Sequence, residues 1–267
     1  MDNIDFIKEH YADQIQAFNW LIEERFNALP NADSSLLRFG GGTALAMYHF
    51  QHRLSFDIDL FAVDAQILGY FSPKVWLEES RYFKSDDYID QSNHVGFLSH
   101  NGIKVDILIS TNLSENHFID SSREIFPIDI YVEDIKDILA KKIVFRSGQN
   151  KTRDIIDIAV SLSHDKRIIA DMVRSDLIKP EDLLILKSSL EKLDREKFAY
   201  ETEIVAPFGE YQKIAEAAPG ILADEIKNIL SSEQIFQIAL LSNGSLNDAL
   251  FEVNKLNGAD SESKPKP

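Results

Sequence analysis

Two aspartates stand two residues apart in Phe56-Asp57-Ile58-Asp59-Leu60-Phe61, an otherwise apolar run. On an extended strand residues i and i+2 share a face, so Asp57 and Asp59 project together from one side while Ile58 and Leu60 take the other. Two carboxylates held side by side repel unless a cation lies between them, and a hard divalent ion such as Mg²⁺ takes oxygen ligands of this kind. An exposed strand face is the competing explanation, because a chain with 44 Asp and Glu residues contains such pairs by chance.

A glycine run lies just upstream. Residues 36–39 read as a short strand, Gly40-Gly41-Gly42 breaks it, and Thr43-Ala44-Leu45-Ala46-Met47 restarts the chain as a helix. A loop without side chains lets backbone N–H groups approach a phosphate, the following helix offers its positive end to the same anion, and Thr43 adds a hydroxyl. A tight strand-to-helix connection would use the same glycines. The turn lacks the Gly-Lys-Ser/Thr of a Walker loop and does not match a dinucleotide fingerprint. A further acid, Asp106, interrupts the apolar strand Ile103-Lys104-Val105-Asp106-Ile107-Leu108-Ile109. If buried it requires a partner, which a metal or an activated hydroxyl would supply; an exposed edge strand is the alternative.

Other chemistries find little support. Cysteine is absent, which removes thiolate nucleophiles and cysteine-bound metals and leaves oxygen and imidazole as the available ligands. Of the seven histidines, His49, His52, His94 and His100 among them, none forms the i, i+4 pair with a glutamate expected of a helical zinc site. No Gly-x-Ser-x-Gly elbow occurs.

The elements that must position these residues follow from periodicity. Ile4, Ile7, Tyr11, Ile15, Phe18, Ile22 and Phe26 recur at helical spacing, which predicts one long amphipathic helix ending near Pro30. Residues 56–63 form a strand, a helix is expected over 74–82, and strands 94–99 and 103–110 flank Asn101-Gly102, a hairpin signal. From 132 onward the pattern turns helical: 132–146, 153–163, 181–193 and several helices between 208 and 254. The expected class is α/β (α+β), with an α/β domain over residues 1–130 and a helical domain over 131–257 that completes the site. The boundary falls near Pro127, and the polar tail 258–267 is expected to be disordered.

With 267 residues, 44% of them hydrophobic and 10% aromatic, the chain can fill an ordinary core. A formal charge of −16 argues against general attraction to nucleic acid, leaves room for a local basic groove, and suits a partner with a basic face. No apolar run is long enough to span a bilayer and the N-terminus is acidic and mixed, so a cytoplasmic protein with no membrane association is expected.

Gly41-Gly42-Thr43-Ala44-Leu45, a helix, and then His52-Arg53-Leu54-Ser55-Phe56-Asp57-Ile58-Asp59-Leu60-Phe61 resemble the start of the nucleotidyltransferase toxins of the abortive-infection AbiEii/AbiGii group. Asp137-Ile138-Leu139-Ala140-Lys141-Lys142 with Arg146, followed by Arg153-Asp154-Ile155-Ile156-Asp157, resembles the second signature of that group, and together they cover about residues 35–160. The resemblance implies a nucleotidyltransferase fold, a mixed sheet with flanking helices. It implies a nucleoside triphosphate held by Gly41, Gly42 and Thr43 with Arg53 and Ser55 beside them, and Mg²⁺ or Mn²⁺ on Asp57 and Asp59. Asp106 matches by position the third acid of the wider superfamily, as metal ligand or general base. Lys142 would be the catalytic lysine, with Asp154 orienting it or Arg153. Family spacing favours Lys142 over Lys141; neighbours on a helix point about 100° apart, so only one of the two is expected to face the site.

The same resemblance implies a metal-dependent enzyme that moves a nucleoside monophosphate from a triphosphate to a cellular acceptor, a tRNA 3′ end or a protein, restrained by a cognate antitoxin. Adenylylation of an antibiotic is a second enzymatic reading. A non-catalytic nucleotide-binding module is a third, disfavoured by the intact Asp57 and Asp59.

Overall fold

The computed structural model describes residues 4–110 and 116–242, with side chains to residue 232. The tail expected at 258–267 and the helices expected beyond 242 lie outside the described residues. The single N-terminal helix divides into α1 (Ile4–His10) and α2 (Ala12–Arg25), hinged at Tyr11, whose hydroxyl donates to the Arg53 carbonyl at 2.6 Å. Gln14 on α2 reaches the Ser55 carbonyl at 2.7 Å, so both helices pin the loop that leads into the aspartate pair.

Strand β1 (Leu37–Gly40) runs straight into α3 (Gly41–Ala44), which widens into a π-helical turn over Leu45–Phe50 and ends at Gln51 in the left-handed region. Wide turns of this kind recur next to functional sites. Strand β2 (Ile58–Ala62) buries Ile58, Leu60 and Ala62 on one face and turns Asp59 and Phe61 to the other, the alternation expected. The helix expected at 74–82 is shorter, a single turn α4 (Pro73–Trp76) with a tighter turn after it, because an unforeseen strand β3 (Phe83–Gln91) follows at once. Strands β4 (His94–Ser99) and β5 (Lys104–Ile109) form the hairpin signalled by Asn101-Gly102, with Gly102 at φ +86°. Two further strands were not foreseen, β6 (His117–Asp120) and β7 (Ile130–Glu133).

The seven strands form one mixed sheet in the order β3-β4-β5-β2-β1-β7-β6. Its centre matters most for the site: β2 lies antiparallel to β1, with Gly40 opposite Asp59, and parallel to β5, with Asp59 opposite Asp106. One face is covered by α2, where Phe18 stacks on Phe39 at 5.5 Å between ring centres. The other face, which carries Asp59, looks toward α5 (Ile135–Arg146). That helix starts three residues later than the expected 132–146, because Val132 and Glu133 belong to β7 and Asp134 caps the helix through the Lys136 amide.

Helix α6 (Thr152–His164) follows, buried along most of its length, then α7 (Ile168–Arg174), α8 (Pro180–Glu191), α9 (Arg195–Val205) and the long α10 (Tyr211–Ser242), which packs on α6 and α8. A single hydrophobic cluster runs from Ile7 to Ile229, through the sheet and the helices that follow it. Among the described residues no helix is long and apolar enough to cross a membrane.

Candidate active site

The three glycines do more than permit a tight turn. A Cβ added to Gly40 would lie 2.1 Å from Glu133 Oε2, one added to Gly41 would lie 1.9 Å from Asp59 Oδ2, and one added to Gly42 would lie 2.7 Å from Arg53 Nη2. Each glycine therefore makes room for a different charged side chain, and Gly41 also needs its freedom for φ +66°. The side of the turn where side chains would stand is already filled.

A cleft of about 230 Å³ opens beside Gly41. Asp59 and Phe61 form its floor and Leu108 one wall, while Lys141, Lys142, Phe145 and Arg146 of α5 line the opposite side. Asp59 has no hydrogen-bond or ion-pair partner among the described residues. Burial and the adjacent negative charge of Asp106 push its carboxyl above the usual range, against the pull of Arg146 and Lys142.

Asp57 is not among the residues lining this cleft. Its side chain is 44% exposed, and its one ion-pair partner among the described residues is Arg153, at 3.9 Å. Asp106 stands beside Asp59 on the neighbouring strand and is buried, so the edge-strand alternative does not apply: β5 lies between β4 and β2. Its carboxylate already has partners, His94 Nε2 at 2.7 Å and Lys104 Nζ at 2.7 Å. Gly96, opposite Asp106 on β4, leaves the space the carboxylate occupies, for a Cβ there would meet Oδ1 at 2.6 Å.

Behind the aspartate strand lies a closed network of charge. Asp157 on α6 is fully buried and accepts from Arg53 Nε at 2.7 Å and Nη2 at 2.8 Å, from His52 Nε2 at 2.7 Å, and pairs with Lys142 Nζ at 3.0 Å. Burial alone would raise its carboxyl, but Arg53 and Lys142 hold it well below the usual range. Lys142 also donates to Asp154. Thr43 is buried, its hydroxyl donating to the Asp57 carbonyl and lying 2.8 Å from the Ser55 hydroxyl. Of the residues proposed from sequence to hold nucleotide, Gly41 and Lys142 line the cleft and Gly42 does not; Thr43, Arg53 and Ser55 are buried, with their polar groups holding the loop that carries Asp57.

One expectation fails outright. Lys141 and Lys142 both line the cleft, although they are neighbours on one helix. Long flexible stems let each bend its charge toward a different acid: Lys142 toward α6, Lys141 toward Glu133, to which it donates while its ammonium sits 3.5 Å from the centre of the Phe61 ring. Glu133 was missed because residues 132–146 read as one helix. The available signal was the acid at the end of the apolar run Ile130-Tyr131-Val132, followed by a capping aspartate. Burial raises the Glu133 carboxyl to about 7 despite Lys141, and its Oε2 has no hydrogen-bond partner among the described residues.

The family model described as nucleotidyl transferase AbiEii toxin, type IV toxin–antitoxin system, matches residues 27–231. No curated protein matches. Among solved structures, a candidate nucleotidyltransferase from H. pylori aligns over 83% of this chain and 94% of its own, with 13% identity and a TM-score of 0.45. JHP933 from Helicobacter pylori aligns over 88% of this chain and 97% of its own, with 15% identity and a TM-score of 0.44.

Proposed function

Because the chain belongs to the AbiEii family of nucleotidyltransferase toxins, we propose that it transfers a nucleoside monophosphate from a triphosphate bound in the Gly41–Asp59 cleft to a cellular acceptor, a tRNA 3′ end or a protein. The observation that carries this reading is the cleft itself, where Asp59, an acid without a hydrogen-bond or ion-pair partner among the described residues, shares the lining with three cations, Lys141, Lys142 and Arg146, beside the glycine turn. Cations on one wall suit a triphosphate, and the apolar Phe61, Leu108 and Phe145 suit the base it carries.

Among the described residues no group of three or more acids or histidines is placed to hold a metal ion; Asp59, which has no hydrogen-bond or ion-pair partner among them, and Asp57, which among them meets only Arg153, are the two that would hold a divalent cation. Asp106 is engaged by His94 and Lys104, and it could join as a ligand only by releasing one of them. Bound there, Mg²⁺ or Mn²⁺ would neutralise charge on the phosphates and on the oxygen that attacks. The acceptor hydroxyl oxygen forms a bond to the α-phosphorus, the bond from that phosphorus to the β-phosphate oxygen breaks, and pyrophosphate leaves with the electron pair. The hydroxyl proton passes to Asp106, the acid in register with Asp59, once Asp106 has released His94 or Lys104.

Lys142 has three N–H donors, of which Asp154 and Asp157 take two, leaving one for the triphosphate from a position those acids fix. Asp154 is thus a positioning residue. Gly41 and the backbone that follows it would meet phosphate oxygens on the side away from the filled Cβ positions. In its family context the toxin would be restrained by an antitoxin encoded with it.

The test is to incubate the protein with each labelled nucleoside triphosphate, Mg²⁺ and total tRNA, and to follow label on RNA, on protein and in pyrophosphate. Label on either polymer supports the reading. Release of no pyrophosphate with any triphosphate would sink it in favour of a binding module, and label only on an added small molecule would make it an antibiotic-type transferase.

A further inference from the structure

Each oxygen of the Asp106 carboxylate is held by a different side chain, Oδ1 by His94 Nε2 and Oδ2 by Lys104 Nζ, both at 2.7 Å. We infer that His94 and Lys104 form a latch that keeps Asp106 turned away from Asp59, so that the protein alone offers a divalent cation two carboxylates rather than three. The inference rests on the transferase reading above and names how its cation site is regulated.

The sheet shows which way the carboxylate leans. Strand β5 lies between β2, which carries Asp59, and β4, which carries His94 and Gly96. Gly96 stands directly opposite Asp106, and His94 lies two residues before Gly96, so the three positions share one face of the sheet. A Cβ on Gly96 would lie 2.6 Å from Asp106 Oδ1 and 3.4 Å from His94 Nε2. Oδ1 therefore lies over β4, in space that Gly96 leaves empty, on the side of β5 away from β2. Lys104, two residues before Asp106 on the same strand, closes this seat from the same face.

Turned toward Asp59, its neighbour in register on β2, the Asp106 carboxylate would bring two like charges together in an empty site. Held over β4, its charge is answered by Lys104 and its other oxygen by a donor from His94. Mg²⁺ is commonly held by one or two carboxylates together with substrate phosphates rather than by a cage of protein ligands. A latched Asp106 suits that mode: the cation is bound weakly by Asp57 and Asp59 alone and firmly only together with a triphosphate, and Asp106 is released in the loaded site.

The deciding experiment titrates Mn²⁺ into the whole chain without nucleotide and reads the free ion by electron paramagnetic resonance. Asp59→Asn should lose most of the binding, whereas Asp106→Asn should leave it unchanged. The paired substitution His94→Ala with Lys104→Ala, at side chains 21% and 45% exposed, should be tolerated by the fold. It should tighten Mn²⁺ binding roughly tenfold, the scale of one charge-assisted contact, and adding Asp106→Asn should abolish that gain. Gly96→Ala keeps every charge but fills the seat, and it should tighten binding in the same direction. A gain that survives Asp106→Asn would be a general effect of removing positive charge and would overturn the latch. So would a loss in Asp106→Asn as large as that in Asp59→Asn, or no gain in either the pair or Gly96→Ala; with pyrophosphate still released from a triphosphate, either result leaves the transferase reading standing. The expected Mn²⁺ pattern, with no pyrophosphate released from any triphosphate, would support the latch and sink the transferase reading instead.

Discussion

Two groups of charge meet back to back at residues 52–59, and they are built on opposite plans. In the closed group, His52, Arg53, Lys142, Asp154 and Asp157 are all buried, and each finds a counter-charge or hydrogen bond inside the protein. In the open group, Asp57, Arg146 and Arg153 are exposed at 44 to 49% of their side chains, their ion-pair contacts are 3.9 to 4.0 Å, and Asp59 has no partner among the described residues. A buried charge is tolerable only when matched, so the closed group marks scaffold. Among the described residues the open group is matched only by these long, exposed contacts, which is what a site awaiting a charged ligand looks like. Lys142 belongs to both, anchored in the first and facing the cleft of the second.

Breaking the closed group should have the largest effect. Asp157→Ala leaves Arg53 and Lys142 buried without their shared counter-charge, and about 3–5 kcal/mol of stability should be lost in urea unfolding. A loss under about 1 kcal/mol would mean that this network does not hold the fold.

The open group should respond in the opposite way. Asp59→Asn should cut transfer by about a hundredfold or more while leaving the protein folded. Without metal the variant should be more stable than wild type at pH 7: Asp59 has its carboxyl raised in the folded state, so its ionised form opposes folding above the usual carboxylate range. The gain should fade as pH falls below that range. Mg²⁺ should raise the melting temperature of wild type and much less that of the variant.

The glycine turn joins the two groups, and a pair of substitutions separates strain from collision there. Gly102→Ala meets only its unfavourable φ of +86°, with no atom within 4 Å, and should cost about 1–2 kcal/mol. Gly41→Ala meets a similar φ and also the Asp59 carboxylate, so it should cost more and should impair transfer, which Gly102→Ala should not.

The smallest effect concerns Glu133, raised to about 7 from an ordinary value of 4.5. Between those values the folded chain keeps a proton that the unfolded chain releases, so stability should fall as pH rises through that window. Glu133→Gln should flatten this part of the stability curve. Lys141→Ala, by removing the cation that lowers the Glu133 carboxyl, should extend the fall to higher pH.

Much of this arrangement could be read from spacing. The alternation across residues 56–61 placed Asp59 and Ile58 on opposite faces, and Asn101-Gly102 set the hairpin that brings Asp106 beside Asp59. Local signals sufficed there because a strand's period and a turn's φ are local properties. What spacing did not carry is pairing over distance. Nothing near Arg53 announces that Asp157 will occupy its guanidinium, so a residue grouped with the nucleotide site by its motif is instead buried in an ion pair. Lys141 and Lys142 were separated by helix geometry, yet four-carbon stems outreach a 100° difference in direction. Strands β3, β6 and β7 were missed because Phe83–Gln91 is acidic and mostly exposed, His117–Asp120 is only four residues long, and Ile130–Glu133 runs into a helix after a single capping residue.

The three glycines have a consequence for how such a chain can drift. Each empty Cβ position is occupied by a charged atom contributed from elsewhere: Glu133 at Gly40, Asp59 at Gly41, Arg53 at Gly42. Tolerance at these positions is therefore set by remote residues. A lineage that shortened Glu133 and replaced Phe61 by a smaller residue could admit alanine at 40, and one that lost Arg53 together with Asp157 could admit it at 42. Position 41 has no such route, since relief would require losing the acid that faces the cleft. Among descendants of one ancestor, the outer two glycines should be exchanged in company with their distant occupants, and the middle one should be inherited with Asp59 as a single heritable unit.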